Sequence, residues 1–361
     1  MTTRRNFLKG AAAGIAFCSC GVLDAARAQP GPMHLPVKVG GKRVMTVDAH
    51  SHCYFHEALN LLGDGADKVL PPVKGVPEHF IVIEQRLKEM DAMGIDMEVL
   101  SINPYWYGRE RDLAAQIVKV QNEKLAELCA SRPERFAAFA SLTLQFPDLA
   151  VQQLETAVRK QGLRGAAIGA SMMGEDFSDP KFHPVWTKAE ELGAVLFIHP
   201  QSTPELAKRF KGNGWLSNTI GNPLDTTIAL QHLIFEGTLD RFPGLKILAA
   251  HGGGYLGSYA ARGDHACFVS PQNCNPDITL KKKPSEYLNQ LHFDAMVFTP
   301  EGLRHLVAQV GASQIVLGTD HPIPWEQHPV DAVFATTTLT DKQKVAILGG
   351  NAVHLFGIKE V

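Results

Sequence analysis

The sequence predicts an α/β protein built as a single (β/α)₈ barrel of the TIM type, and three observations support this prediction. Eight short runs rich in Val, Ile, Leu and Ala recur along the chain, as expected for parallel strands that are buried on both faces. Longer amphipathic stretches separate these runs, as expected for helices that cover such strands. Histidine or aspartate follows several of the runs, at the carboxyl ends where barrel enzymes carry their active sites.

The predicted strands follow one another from residue 44 to residue 318. They occupy residues 44–48, 97–102, 136–141, 165–168, 195–198, 246–250, 291–293 and 315–318. Helices are predicted between strands at residues 81–93, 111–131, 149–161 and 180–192, where the apolar positions recur with helical spacing. An open doubly wound sheet is the alternative for the same alternation. No internal repeat or low-complexity linker interrupts the pattern, so residues 29–361 are predicted to form one domain.

Residues 1–28 predict a secretory signal peptide of the twin-arginine type. Arg4 and Arg5 precede an apolar stretch of small residues, and an A-x-A cleavage signal occupies residues 26–28. The apolar stretch is too short to cross a bilayer comfortably, since crossing takes roughly 20 apolar residues. We therefore expect export to the periplasm, with no stable membrane insertion after cleavage.

Charge and cysteine content exclude several classes of protein. The formal net charge is −2, so no nucleic acid is expected as a partner. The only basic run covers residues 281–283 and is typical of a solvated loop. No C-x-x-C motif is present, which argues against zinc ribbons and thioredoxin-like chemistry. Cys267 and Cys274 lie seven residues apart around a loop, and an oxidising periplasm would allow a disulfide between them.

Polar residues at the ends of four predicted strands are the candidates for chemistry. His50 and His52 follow the first strand, and residues two apart in a strand point to the same side. His199 follows the fifth strand, His251 the sixth and Asp320 the eighth. Because the carboxyl ends of barrel strands meet at one mouth, these side chains are predicted to converge.

Imidazole and carboxylate ligands together suit a divalent metal ion, Zn²⁺ above all, and also Mn²⁺, Fe²⁺ or Co²⁺. Three histidines and one aspartate leave room for a water molecule, whose pKa a metal lowers to about 7. His251 is then free to act as a general acid or base.

The glycine run after His251 also matches G-x-G-x-x-G, the pattern of dinucleotide-binding folds, over residues 252–257. It lies late in the chain and follows a polar histidine. No acidic residue ends a following strand about 20 residues on, as that pattern requires. We therefore expect these glycines to allow a tight backbone turn beside the metal.

Four motifs in this chain resemble the amidohydrolase-related family. They are VDAHSH at residues 47–52, FIHP at 197–200, AHGGG at 250–254 and LGTDHP at 317–322. The resemblance runs from about residue 46 to residue 357 and is strongest with the metal-dependent decarboxylases of that family.

The resemblance implies a division of labour among the motif residues. It assigns the metal, usually zinc, to His50, His52, His199 and Asp320, and acid–base chemistry to His251 next to the metal water. His251 and Asp320 are therefore the predicted catalytic residues. It implies a decarboxylation in which the metal water helps deliver a proton to carbon.

The resemblance also implies a homodimer in which Arg262 reaches the neighbouring subunit's site. There it would bind the carboxylate of a small-molecule substrate, because a guanidinium pairs with a carboxylate through two parallel hydrogen bonds. An ion pair with Asp264 in the same chain is the alternative for Arg262.

Three further residues are predicted to contact the substrate. Trp106 and Arg109 follow the second strand and could line a pocket for an aromatic or conjugated acid, with a packed loop as the alternative. Gln201 follows the FIHP motif.

Several positions depart from the family decarboxylase, which argues against the same substrate. Gln201 replaces an aromatic residue. The loop after the first strand lacks an arginine and offers Lys68 and Lys74 instead. His321 and Ile323, which follow Asp320, are also changed.

The motifs leave three functions open. The first is a metal-dependent carboxy-lyase that acts on a small unsaturated or aromatic carboxylic acid. The second is a metal-dependent hydrolase of a lactone, amide or ester, since the same groups serve both reactions. The third is a periplasmic protein that binds a metal or ligand without turnover.

Overall fold

The computed structural model describes residues 36–359 apart from residues 72, 74 and 75, and gives no side-chain description for residues 67, 68 and 77. The predicted signal peptide, residues 1–28, lies outside this range and stays a prediction. The chain from Pro36 onward forms one compact unit.

A short hairpin precedes the eight strands of the barrel. It pairs β1 (Lys38–Val39) with β2 (Lys42–Arg43) in antiparallel fashion. The barrel strands are β3 (Val47–His52), β4 (Met97–Ser101), β5 (Phe136–Ala138), β6 (Gly165–Ile168), β7 (Val195–Ile198), β8 (Lys246–Ala249), β9 (Leu291–Asp294) and β10 (Ile315–Val316). Each of them overlaps one predicted strand.

The eight strands close on themselves through parallel pairing. Strands β3, β4 and β5 pair in that order, as do β6 through β10. Isolated parallel bridges from Ala140 to Ala166 and from Asp48 to Leu317 join these two groups at both edges. The closed order confirms the predicted (β/α)₈ barrel and excludes the open doubly wound sheet.

Helices follow the strands around the barrel. They are α1 (His56–Leu59), α2 (Ile83–Met93), α3 (Arg111–Ser131), α4 (Pro147–Lys160), α5 (His183–Leu192), α6 (Asn222–Phe235), α7 (Thr238–Arg241), α8 (Leu256–Val269), α9 (Pro300–Val310), α10 (Pro329–Ala335), α11 (Asp341–Val345) and α12 (Asn351–Phe356). The four predicted helices correspond to α2 through α5, with ends that differ by a few residues. None of the helices in the described part of the chain combines the length and apolar character needed to cross a bilayer.

Two apolar cores hold the barrel together. One lies inside the barrel and consists of inward-facing strand residues together with side chains of α12. Its strand residues include Val47, Phe139, Phe197 and Leu248. Phe139 stacks on Phe197 at 5.4 Å and meets Phe356 of α12 edge-on at 5.5 Å. The other core packs the outer strand faces against the helices. A packed interior of this kind leaves only the rim of the barrel free for a site.

A β-bulge in β3 directs the histidines of the first motif. Asp48 pairs with Glu98, but Ser51 pairs with Leu100, so β3 contains one residue more than β4 over this stretch. Such an insertion changes which side chains face inward. Ala49 lies in the inner core, and both histidines that follow it also point to the barrel mouth. The prediction that this strand ends at residue 48 was wrong, because the pairing continues through the bulge to His52.

A disulfide, which the sequence allowed but did not decide, joins Cys267, near the end of α8, to Cys274. Cys53 and Cys129 are free thiols.

Candidate metal centre and active site

Four predicted ligands converge at the carboxyl end of the barrel. His50 and His52 end β3, His199 directly follows β7, and Asp320 follows β10. All four are buried, and each offers one ligand atom within 4.8 Å of the others' atoms. His52 Nε2 lies 2.9 Å from Asp320 Oδ1 and 3.2 Å from His50 Nε2.

The chemistry of this donor set fits a divalent cation. Neither ring nitrogen of His199 has a hydrogen-bond partner among the described residues, although the side chain is buried. Buried polar groups in folded proteins are nearly always satisfied, so an unpaired imidazole needs an explanation. A metal ion that accepts lone pairs from three imidazoles and one carboxylate provides it.

A serine on the neighbouring strand orients His52. Ser101 Oγ donates to the carbonyl of Ser51 at 2.8 Å and lies 2.7 Å from His52 Nδ1. Because the hydroxyl proton is already used, Ser101 Oγ accepts a hydrogen bond from Nδ1–H. The lone pair of His52 is then on Nε2, which faces the site.

Asp294, the last residue of β9, orients His50 in the same way and was not among the predicted site residues. Its Oδ2 lies 2.6 Å from His50 Nδ1, and both side chains are fully buried. It also accepts hydrogen bonds from the backbone N–H groups of His251 and Gly252, both at 2.8 Å. A polar residue directly after the predicted strand at 291–293 is the signal that could have identified it.

We expect Asp294→Asn to weaken metal binding by about 10–100-fold, the usual effect of losing a partner that orients a ligand histidine. The amide cannot provide the charge that holds Nδ1–H toward β9. Metal affinity is measured by competition with a chromogenic chelator. Asp277→Asn, in an exposed loop, is the matched control. Unchanged metal affinity in Asp294→Asn would show that Asp294 does not orient His50.

The surroundings of His199 and Asp320 keep these two ligands in the forms that bind a metal. Burial lowers the pKa of His199 well below its usual value, and the neighbouring His52 and His50 lower it further, so its imidazole is neutral. Burial alone would raise the pKa of Asp320, but the neighbouring imidazoles of His251 and His50 hold it well below the usual range. The site therefore presents a carboxylate and a neutral imidazole to a cation.

His251 lies beside the ligands and is not one of them. Its Nε2 is 3.9 Å from Asp320 Oδ2, and its side chain is 13% exposed. Its backbone adopts φ = 56°, in the left-handed region that non-glycine residues rarely occupy. Asp294 stabilises this turn by accepting hydrogen bonds from the backbone N–H groups of His251 and Gly252. Backbone strain of this kind is typical of active sites.

The glycines after His251 permit the turn, as predicted. Gly252, Gly253 and Gly254 all have positive φ values between 62° and 75°. A Cβ on Gly254 would lie 2.0 Å from the carbonyl oxygen of Pro223, so this turn requires glycine.

A cavity of about 270 Å³ opens beside the ligands. His52, His199 and Asp320 form its floor, and its walls are largely aromatic and amide side chains. The wall residues include Tyr54, Phe80, Tyr105, Gln201, Trp215, Asn218, Asn222, Ile323 and Trp325. Among the described residues that line it, none is a lysine or an arginine.

The predicted substrate contacts are only partly brought together. Gln201 lines the cavity, with its backbone N–H fixed by Asp225 at 2.9 Å. Trp106 does not: it is fully buried and its indole N–H donates to Leu142 O at 2.8 Å. The prediction for Trp106 was therefore wrong, because apolar packing and this hydrogen bond hold its side chain inside the protein.

The two predicted arginine contacts lie outside the cavity of their own subunit. Arg109 is exposed and lines an outer cleft that shares Tyr105 with the cavity. Arg262 is exposed on α8, and within residues 36–359 no described carboxylate lies at ion-pair distance from it. The alternative partner Asp264 instead accepts hydrogen bonds from the backbone N–H and hydroxyl of Ser285.

His321 supports the site from behind instead of touching substrate, which corrects the expectation for that position. Its Nδ1 lies 2.6 Å from Glu98 Oε1, and its Nε2 lies 2.9 Å from Glu89 Oε2. Arg86 pairs with Glu98 at 2.6 Å and donates to the carbonyl oxygen of His52. This buried ion-pair network anchors the end of β3. Ile323 does line the cavity, whereas Lys74 and the side chain of Lys68 lie outside the described residues.

The closed barrel and the His–His–His–Asp cluster at its mouth define a metal-dependent barrel enzyme. The chain belongs to the amidohydrolase family, whose sequence model matches residues 47–358. Both the predicted family and the predicted fold are confirmed.

Several relatives of known activity are decarboxylases. The chain is 31% identical over 277 residues to 2-amino-3-carboxymuconate-6-semialdehyde decarboxylase from Dictyostelium discoideum, covering 76% of each chain. It is 32% identical over 287 residues to gamma-resorcylate decarboxylase from Rhizobium radiobacter, covering 76% of this chain and 86% of that protein.

A solved structure shows the same fold with a metal bound. It is the dihydroxybenzoic acid decarboxylase from Polaromonas sp. JS666 with manganese and the inhibitor 2-nitroresorcinol. The match has a TM-score of 0.78 at 26% identity and covers 88% of this chain and 98% of that one. These comparisons confirm an amidohydrolase-superfamily enzyme with a divalent-metal site and support the predicted carboxy-lyase class over the hydrolase and non-catalytic alternatives.

Proposed function

We propose that this protein is a metal-dependent decarboxylase of a small aromatic carboxylic acid. The observation that carries the proposal is the position of His251. It is a histidine outside the ligand set whose Nε2 lies 3.9 Å from the carboxylate of the ligand Asp320. A proton donor beside a cation site is what the replacement of a carboxylate by hydrogen requires.

The chain's own residues account for the reaction. His50, His52, His199 and Asp320 would hold the ion, which supplies positive charge next to the bound acid. His251 Nε2 carries the proton and delivers it to the ring carbon that bears the carboxylate. The bond between this carbon and the carboxylate then breaks, its electron pair returns to the ring, and CO₂ leaves. Asp320 keeps Nε2 of His251 directed at the reacting carbon, and His251 recovers its proton from solvent.

We propose zinc as the native ion, because three imidazoles and one carboxylate are ligands that zinc prefers. Manganese is the competing assignment, since a related decarboxylase binds it. Elemental analysis of protein purified without added metal distinguishes the two, and manganese in excess of zinc would contradict the zinc proposal.

The test of the reaction compares two kinds of substrate. Purified metal-loaded protein is incubated with hydroxybenzoates such as 2,6-dihydroxybenzoate, and separately with an aryl lactone such as dihydrocoumarin. We expect CO₂ release from at least one benzoate and no acid release from the lactone. Acid release from the lactone without CO₂ from any benzoate would make the protein a hydrolase.

A homodimer would bring a cation to the metal cavity, whose described lining residues include no lysine or arginine. The α8 helix leaves Tyr259, Phe268 and Val269 exposed at 62%, 86% and 74%. An apolar surface of this kind is typical of a protein–protein contact. Arg262 lies on the same helix. We propose that a second copy covers this surface by two-fold symmetry and that each Arg262 binds the substrate carboxylate in the partner's site.

Complementation between subunits tests the role of Arg262. Arg262→Ala should raise KM for the carboxylate substrate and change dimer stability little. A heterodimer of Arg262→Ala and His251→Ala subunits contains one site with both groups intact, so each heterodimer should have about half the activity of a wild-type dimer. Mixing His251→Ala with Asp320→Asn is the control, because both residues act within one subunit and no intact site forms. Heterodimers without restored activity would place Arg262 outside the partner's site.

We also propose export to the periplasm. The paired arginines and the A-x-A sequence support it, and so does the Cys267–Cys274 disulfide, since such bonds persist in oxidising compartments. The mature protein should begin at Gln29 when its amino terminus is sequenced from a periplasmic fraction. An Arg4→Lys, Arg5→Lys double variant should stay uncleaved in the cytoplasm. A double variant that is cleaved and exported normally would contradict twin-arginine transport.

A further inference from the structure

A second cavity, of about 330 Å³, adjoins His251. Its apolar walls are Pro223, Met296, Phe298 and Trp325, and the side chains of Asn218, Thr219 and Asn222 complete it. Small ligands occupy pockets of roughly 300–1,000 Å³ lined mostly by apolar side chains. The size and chemistry of this cavity therefore suit a small apolar group.

Two aromatic side chains, Phe298 and Trp325, line this cavity, and a third, Trp215, lines the neighbouring metal cavity. Trp325 stacks on Trp215 with a ring-centroid distance of 5.8 Å, and Phe298 leans on Trp325 at 6.2 Å. Phe298 and Trp215 are 53% and 40% exposed. Both also have positive φ values, 61° and 48°, which are uncommon for bulky residues. Strained, exposed aromatic residues beside an active site are typical of ligand contacts.

This cavity adjoins the metal cavity. Asn218, Asn222 and Trp325 line both of them, and His251 forms part of the wall of the second. A ring whose reacting carbon meets His251 Nε2 while its carboxylate faces the ligand cluster must lie where the two cavities meet. A substituent on the His251 side of such a ring would extend into the apolar cavity.

We infer that the cavity formed by Met296, Phe298 and Trp325 is a subsite for an apolar substituent, so that the substrate is an alkyl- or aryl-substituted aromatic acid. This inference rests on the proposed decarboxylase function for the position of the ring. The group bound there takes no part in the reaction. It contributes affinity by leaving water, at roughly the free energy of transferring each methylene.

The test measures binding and does not depend on turnover. Resorcinol, 5-methylresorcinol and 5-propylresorcinol are titrated into the metal-loaded protein by calorimetry. Affinity should rise about fourfold for each added carbon. Phe298→Ser should reduce this increment to near onefold, whereas Phe298→Leu should keep most of it. Val345→Ser, a partly exposed apolar residue of α11, is the control and should keep the wild-type increment.

Two outcomes would overturn the inference. One is equal affinity of the wild-type protein for the three compounds, or no binding of any. The other is an affinity increment per carbon that is undiminished in Phe298→Ser. If that variant instead changes the oligomeric state measured by sedimentation, Phe298 belongs to a subunit contact and not to a subsite. Absence of CO₂ release from every benzoate, with the affinity increment intact, would instead refute the decarboxylase and leave the subsite.

Discussion

Removing the metal should abolish turnover. We expect His199→Ala to lower the bound metal from about one ion per chain to near zero and to reduce CO₂ release at least about 10³-fold. The ion supplies several kcal/mol of charge stabilisation, and each 1.36 kcal/mol corresponds to a tenfold change in rate. His199 is the most informative ligand to remove, because both of its ring nitrogens are otherwise unpaired among the described residues.

Metal content is measured by elemental analysis after gel filtration, and CO₂ release is measured on the same sample. His328→Ala is the matched control, because His328 is an exposed histidine next to α10. Exhaustive chelation of the wild-type protein should produce the same loss, and adding the ion back should restore activity. Full activity in the chelated protein would refute the metal-dependent mechanism, whatever His199→Ala does.

His251→Ala should keep the metal but lower kcat by about 10²–10⁴-fold, the usual contribution of general acid–base catalysis. The four ligand side chains remain in place in this variant, so metal affinity should change little. The two variants therefore differ in metal content: His199→Ala should lose both the metal and the activity, whereas His251→Ala should lose activity and keep the metal. Binding of a product such as resorcinol should also persist, because His251 transfers the proton and is not needed for product affinity.

Circular dichroism would establish that His251→Ala still folds. The measurement is needed because histidine adopts the left-handed region more readily than alanine does, so the strained turn at this residue costs the variant some folding stability. Loss of the ion from His251→Ala would make this residue a ligand and contradict the division of labour between it and His199. Full turnover would show that another group donates the proton.

The sequence determined the barrel and the identity of the four metal ligands. Apolar runs of strand length and amphipathic stretches of helix length are local patterns, and the helix ends fell within a few residues of α2 through α5. The ligands could be found because each follows a strand. In a closed parallel barrel that position alone brings residues as distant as His50 and Asp320 together.

Only the tertiary structure decided which neighbours of those ligands take part. The β3 bulge depends on pairing with β4, and the burial of Trp106 depends on packing against residues far along the chain. His321 points to Glu98 and away from the cavity. Asp294 orients His50 across 244 residues of sequence. Local periodicity cannot predict such contacts, because their direction is set by side chains that only the closed barrel brings into reach.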